Sequence, residues 1–198
     1  TTSLDLGMPE PEGPSGRADW AVIFQRTLPF VDVFMPSADE LLYVLEPDKF
    51  GQGDAVSGET LSELGAALLD LGVAVAGIKL GSRGLYLRTG CAERLREMGR
   101  AQAGDPSAWE NRELWFPVFE ISEFVGATGA GDTTIAGFLA AFLREHDPAV
   151  CGRMATAVGA CNVEAPDALS GICSWDETAQ LLRAGWKQAP LDPRAEGW

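Results

Sequence analysis

The run VAVAGIKL (73–80) constrains this chain more than any other segment. It is continuously apolar, shows no polar–apolar alternation, and lies between Gly72 and Gly81. A strand of this kind is buried on both faces, so helices must cover both sides of the sheet that holds it. Other segments fit that requirement. TTSLDL (1–6) reads as a strand ending near Asp5, VDVFM (31–35) as a short buried strand, and LYLR (85–88) as a strand leaving the turn GSRG (81–84). LWFPVFEI (114–121) is extended but interrupted by Pro117, which suits an edge.

Helical signals stand between these strands. Asp19 caps a helix carrying Trp20, Ile23, Phe24 and Leu28. Ser37-x-x-Glu40, Thr60-x-x-Glu63 and Ser174-x-x-Glu177 are capping-box patterns, and the second opens a helix that stops at Gly72. Helices are expected over 133–144 and 149–163, and the last one ends at Gly185. Residues 99–112 (GRAQAGDPSAWENR) read as a surface insertion and 185–198 as a loose tail. The alternation of strands with helices predicts an α/β layered fold: one domain over 1–198, with a mostly parallel central sheet flanked by helices.

Charge narrows the function. Fifteen Lys and Arg face 29 Asp and Glu, a net charge of −14. That excludes a diffuse nucleic-acid-binding surface, which needs clustered cations, and disfavours an anionic membrane surface. An anionic ligand must instead be held locally, by backbone N–H groups, a few cations or a metal. No apolar run reaches the length that spans a bilayer, and no basic-then-apolar leader is present. The four cysteines form no C-x-x-C pair, and the lone His146 cannot complete a metal set with them. Reduced thiols in a cytoplasmic protein are expected. The chain begins Thr1-Thr2-Ser3 without Met, as an excised piece of something longer or a processed N-terminus would.

The segment that carries chemistry is Thr128-Gly129-Ala130-Gly131-Asp132, between an extended stretch and a helix. Glycines let backbone N–H groups come close to a ligand. The helix behind them adds unsatisfied N–H groups and the positive end of its dipole, which together suit a phosphate. Asp132 beside that anion could take the proton of an attacking hydroxyl. The loop is neither G-x-x-x-x-G-K-[ST] nor a full G-x-G-x-x-G, because Thr134 occupies the third glycine position. A tight strand-to-helix turn with Asp132 in the first helical turn explains the same residues without a ligand.

At this point the sequence resembles a family. GATGAGDTTIAGFLAAF (126–142) is similar to the C-terminal signature of the ribokinase-like, phosphofructokinase B-type (PfkB) carbohydrate kinases. DVFMPSADEL (32–41), IKLGSRGLYL (78–87) and VGACNVEAPDALSG (158–171) resemble three further segments of that family, in the same order. The resemblance implies a ribokinase-like fold whose N-terminal part and lid are missing. It implies an ATP-dependent kinase, with Mg²⁺, acting on a hydroxyl of a small sugar or sugar-like substrate. A catalytically silent nucleotide-binding or regulatory module on the same fold is the alternative. A homodimer of the full-length protein is left open, and neither a nucleic acid nor a membrane is an implied partner.

Carried over by position, the resemblance makes Asp132 the catalytic base and Gly129, Ala130 and Gly131 the anion hole. Lys79, Gly81 and Thr156 fall on the nucleotide side, and Glu40 matches a glutamate that holds the metal through water. Two positions depart from the family pattern: Ser37 stands for an Asn and Gly126 for an Asp. Each candidate also has a plain structural role. Glu40 can serve its capping box, Lys79 a strand end, Gly81 a turn and Thr156 helix packing.

Overall fold

A computed structural model of the chain describes residues 1–190. Its elements run β1 (Ser3–Leu4), α1 (Trp20–Thr27), β2 (Val33–Phe34), α2 (Ala38–Leu45), α3 (Gly58–Asp70), β3 (Val75–Lys79), β4 (Leu85–Thr89), α4 (Ala92–Arg96), α5 (Pro106–Trp109), β5 (Glu113–Phe116), α6 (Ala130–Phe142), α7 (Pro148–Val163) and α8 (Trp175–Arg183). The five strands form one sheet in sequential order. β1, β2 and β3 are parallel, and β4 and β5 continue the sheet antiparallel. The parallel arrangement expected from sequence therefore holds for the first three strands. The change of direction comes at the GSRG turn, where Gly84 has φ +95° and folds β4 back along β3.

The continuous apolar run at β3 does what its pattern requires. Ala76 and Ile78 face one core with Phe34, Leu41, Leu61 and Leu68, under α1–α3. Val75 faces another with Val33, Leu87, Phe138 and Met154, under α6 and α7. Leu85 and Leu87 of β4 join the second core, while Tyr86 points into the first. Three layers result, with the sheet in the middle.

The caps at Asp19, Ser37 and Ser174 form as the sequence indicates. Three other expectations need correction or refinement. The α3 cap is Ser57, whose hydroxyl accepts from Thr60 N–H at 3.1 Å, so Thr60 lies inside the helix. Residues 99–112 lie mostly at the surface, as expected, but are anchored in the core: Trp109 is 0% exposed and meets Phe138 and Phe142 edge-on. Residues 186–189 are not loose. Lys187 and Val118 carbonyls accept from Glu120 and Ala189 N–H at 2.8 Å each, and Trp186 packs at a tilt against Phe119. The rest of the expected tail, 191–198, lies outside the described residues.

All four cysteines are free. Burial pushes the thiols of Cys151 and Cys161 up to about 12. Among the described residues no helix is long and apolar enough to cross a membrane.

Candidate active site

Parallel strands gather chemistry at their carboxyl ends, because each chain leaves the sheet there through a loop. In this chain the three parallel strands deliver Asp5, Ser37 and Lys79 to one edge. Ser37 and Lys79 pair across that edge in an isolated bridge, with Lys79 N–H donating to Pro36 O at 2.8 Å. The Lys79 ammonium reaches back to Asp5 and donates to both carboxylate oxygens at 2.8 Å.

The glycine-rich turn arrives over this edge. Helix α6 starts at Ala130, three residues earlier than the sequence suggested, and its cap is Gly129 at φ +78° rather than a polar side chain. Only glycine takes that conformation readily. A Cβ at Gly129 would also lie 2.5 Å from Ala168 Cβ, so the loop after α7 closes against the turn. Asp132 thus becomes the third residue of α6 and is exposed. Among the described residues its carboxylate has no hydrogen-bond or ion-pair partner.

The turn's N–H groups separate into engaged and open. Ala130 N–H donates to Ala127 O at 3.1 Å and Thr133 N–H to Gly129 O at 2.9 Å. Among the described residues the N–H groups of Gly129, Gly131 and Asp132 have no such acceptor. These three donors, at the positive end of a 13-residue helix, make a concavity for an anion. Lys79 stands beside it: a Cβ on Gly131 would lie 3.5 Å from the Lys79 nitrogen.

A cleft of about 280 Å³ opens from this point. Lys79, Gly81, Ala130, Gly131 and Thr156, which come from three separate stretches of sequence, all line it. Thr156 is buried, and its hydroxyl donates within its own helix to Gly152 O or Arg153 O, each at 3.3 Å. Gly81 has φ +57° with open space where a side chain would be. Glu40 does not line the cleft. Its carboxylate closes the capping box by accepting from Ser37 N–H at 2.6 Å.

Sequence reasoning missed two parts of the site. Asp5 is one acid in a short strand, and its partner lies 74 residues away. The apolar wall made by Phe119, Ile121 and Phe124 reads along the chain as an interrupted strand and a loop.

The family description that matches this chain is pfkB family carbohydrate kinase, over residues 4–174. The chain belongs to that family. An uncharacterized sugar kinase of Archaeoglobus fulgidus is 26% identical over 172 residues, 87% of this chain and 53% of that protein. A nucleoside kinase of Methanocaldococcus jannaschii is 29% identical over 73 residues, 37% of this chain and 24% of that protein. Arabidopsis thaliana ribokinase, complexed with ribose and ATP, superposes with a TM-score of 0.63 at 22% identity, covering 91% of this chain and 47% of its own. Salmonella enterica aminoimidazole riboside kinase, complexed with aminoimidazole riboside and an ATP analog, gives 0.63 at 23%, covering 91% and 51%. These likenesses establish a ribokinase-like fold for this member of the pfkB family. The chain spans about half the length of the A. fulgidus protein and of both kinases of known structure.

Proposed function

We propose that this chain forms the nucleotide-binding portion of an ATP-dependent kinase that phosphorylates a hydroxyl of a small sugar or sugar-like molecule. One observation carries the reading. An anion concavity with open N–H groups, a carboxylate at Asp132 that has no partner among the described residues, and an apolar cleft meet at the carboxyl ends of parallel strands. Phosphoryl transfer needs little covalent help from the protein, so positioning and charge stabilisation supply most of the catalysis.

Each residue then has a task. The N–H groups of Gly129 and Gly131, with that of Asp132, hold the transferred phosphate, and Ala130 shapes the turn between them. Lys79 supplies a positive charge beside the phosphates, while Gly81 and Thr156 border the nucleotide cleft. Asp132 accepts the proton of the acceptor hydroxyl as the new O–P bond forms. Magnesium fits this donor set only in one way. Among the described residues no cluster of three or more His, Cys, Asp or Glu could cage a metal. The carboxylates on hand, Asp132 and the second oxygen of Glu40, suit an ion that is carried on phosphates and keeps its waters. Bound there, Mg²⁺ would neutralise charge on the phosphates, with Glu40 holding it through water.

The test is Asp132→Asn in the full-length protein. It keeps the size of the side chain and removes the proton acceptor. A positioned base contributes roughly 10²–10⁴-fold, or ~3–5 kcal/mol of barrier, so kcat should fall by that factor. The melting temperature should barely move, because the carboxylate is exposed. Turnover near wild type would overturn the assignment. A silent nucleotide-binding module is the second reading, favoured by the engagement of Lys79 with Asp5 and of Glu40 with Ser37. It requires nucleotide binding with no turnover in the unaltered protein.

A further inference from the structure

We propose, resting on the nucleotide reading above, that the cleft binds nucleobases without telling them apart. The phosphate donor of this protein would then be nucleoside triphosphates as a class rather than ATP alone.

The argument begins with what a site needs in order to read a base. Bases differ in the donors and acceptors along their edges. A site built to hydrogen-bond one edge rejects analogues by roughly 10⁴–10⁵-fold, whereas an apolar pocket discriminates by only about 10²-fold or less. This cleft is of the second kind. Beyond the Lys79 end its lining is Val118, Phe119, Ile121, Phe124, Ala160 and Val163.

Its polar side chains are few and mostly engaged. The Thr134 hydroxyl donates to Ala130 O at 2.7 Å, and the Thr156 hydroxyl donates within α7. A Cβ at Gly159 would lie 2.6 Å from the Thr134 oxygen, so that oxygen is pressed into the helix pair. Ser82 is exposed, and its hydroxyl can rotate to serve an amino or a carbonyl group alike. Backbone donors next to the wall are occupied: Val125 and Gly126 N–H both donate to Val163 O, at 2.9 and 3.2 Å, and Ser122 N–H donates to Glu164.

What the cleft does offer is ring surface. Phe119, 1% exposed and held against Trp186 with centroids 4.8 Å apart, backs the wall. Phe124 is 64% exposed at the mouth, where a base can cover it. Stacking on an aromatic ring is tolerant of sequence because every base has a π-face. The phosphates would set the register and the base would add apolar contact, whichever base it is.

The test titrates the Mg²⁺ complexes of ADP, GDP, CDP, UDP and pyrophosphate into this chain by calorimetry. The four nucleotides should bind with Kd values within about a hundredfold of one another, all tighter than pyrophosphate. Phe124→Ala should weaken all four by a common factor of about ten and leave pyrophosphate unchanged. ADP binding more than a hundredfold tighter than the other three would overturn base indifference while leaving the phosphate site standing. Pyrophosphate binding as tightly as the nucleotides would overturn it too, since the cleft would then contribute nothing. Failure of all five ligands would remove the nucleotide reading and this proposal with it.

Discussion

Two ion pairs of equal length stand at opposite ends of the same parallel strands. At the amino ends Arg94 holds Asp32 at 2.8 Å, and at the carboxyl ends Lys79 holds Asp5 at 2.8 Å. Their surroundings differ. Arg94 also donates to Gly72 O at 2.7 Å and Val31 O at 3.1 Å, and Asp32 accepts from Thr2 N–H at 2.8 Å. That pair joins α4 to the starts of three strands. Among the described residues the Lys79 ammonium donates to Asp5 alone, and it has three donors for that carboxylate's two oxygens. A pair whose cation is also tied to two backbone carbonyls holds structure. A pair whose ammonium stands beside open N–H groups can be drawn on by a phosphate. The distance between two charges therefore says less about role than what else each partner touches.

The largest expected effect falls on the Arg94–Asp32 pair. Asp32→Ala leaves the Arg94 guanidinium, whose side chain is 20% exposed, without its counter-charge, which should lower stability by about 3 kcal/mol. Affinity for Mg·ADP, measured on the folded fraction, should not change. A melting temperature close to wild type would break the contrast. Lys79→Met should behave the other way. It should weaken Mg·ADP about tenfold, equal to ~1.4 kcal/mol. The loss of its pair with partly exposed Asp5 should cost less than about 1 kcal/mol of stability. A strongly destabilised Lys79→Met that binds nucleotide normally would make both pairs structural.

Local features of the chain were legible, and long-range ones were not. The caps at Asp19, Ser37 and Ser174 and the glycine stop at Gly72 depend on neighbours within a few residues, and all four form. The buried strand at 73–80 was legible because its pattern reports burial on two faces directly. The pattern places the start of α6 three residues late because the cap is a conformation of Gly129, with no side chain to announce it. The burial of Trp109 is not legible locally, because its polar neighbours, Glu110 and Asn111, describe only its own loop. Phe138 and Phe142, which bury it, follow 29 and 33 residues later. In the site, the glycine turn and Lys79 could be found from motif spacing, but Asp5 and the Phe119–Phe124 wall acquire meaning only when the sheet edge and α7 bring them together.

The smallest effect comes from two copies of one motif. The boxes at Ser37–Glu40 and Ser174–Glu177 are nearly superimposable in their bonds. Serine N–H donates to the glutamate at 2.6 Å in one and 2.8 Å in the other, and glutamate N–H donates to the serine hydroxyl at 3.3 Å in both. The first opens at the edge where Ser37 bridges Lys79, and the second caps α8 far along the chain. Gln still completes a capping box, so Glu40→Gln and Glu177→Gln should each lower the melting temperature only slightly. For Glu177 the sign with pH follows from its partners. The Ser174 hydroxyl and N–H hold its carboxyl below the ordinary range, so the charged form is favoured in the folded state. Its contribution is present above the unfolded-state value and is lost as pH falls through the folded-state value, where wild type and Glu177→Gln should converge. Only Glu40→Gln should alter function, by raising the Mg²⁺ concentration needed for half-maximal turnover in the full-length protein. Identical magnesium titrations for both variants would reduce Glu40 to a cap, and a shift in Glu177→Gln would show that the effect has nothing to do with the sheet edge.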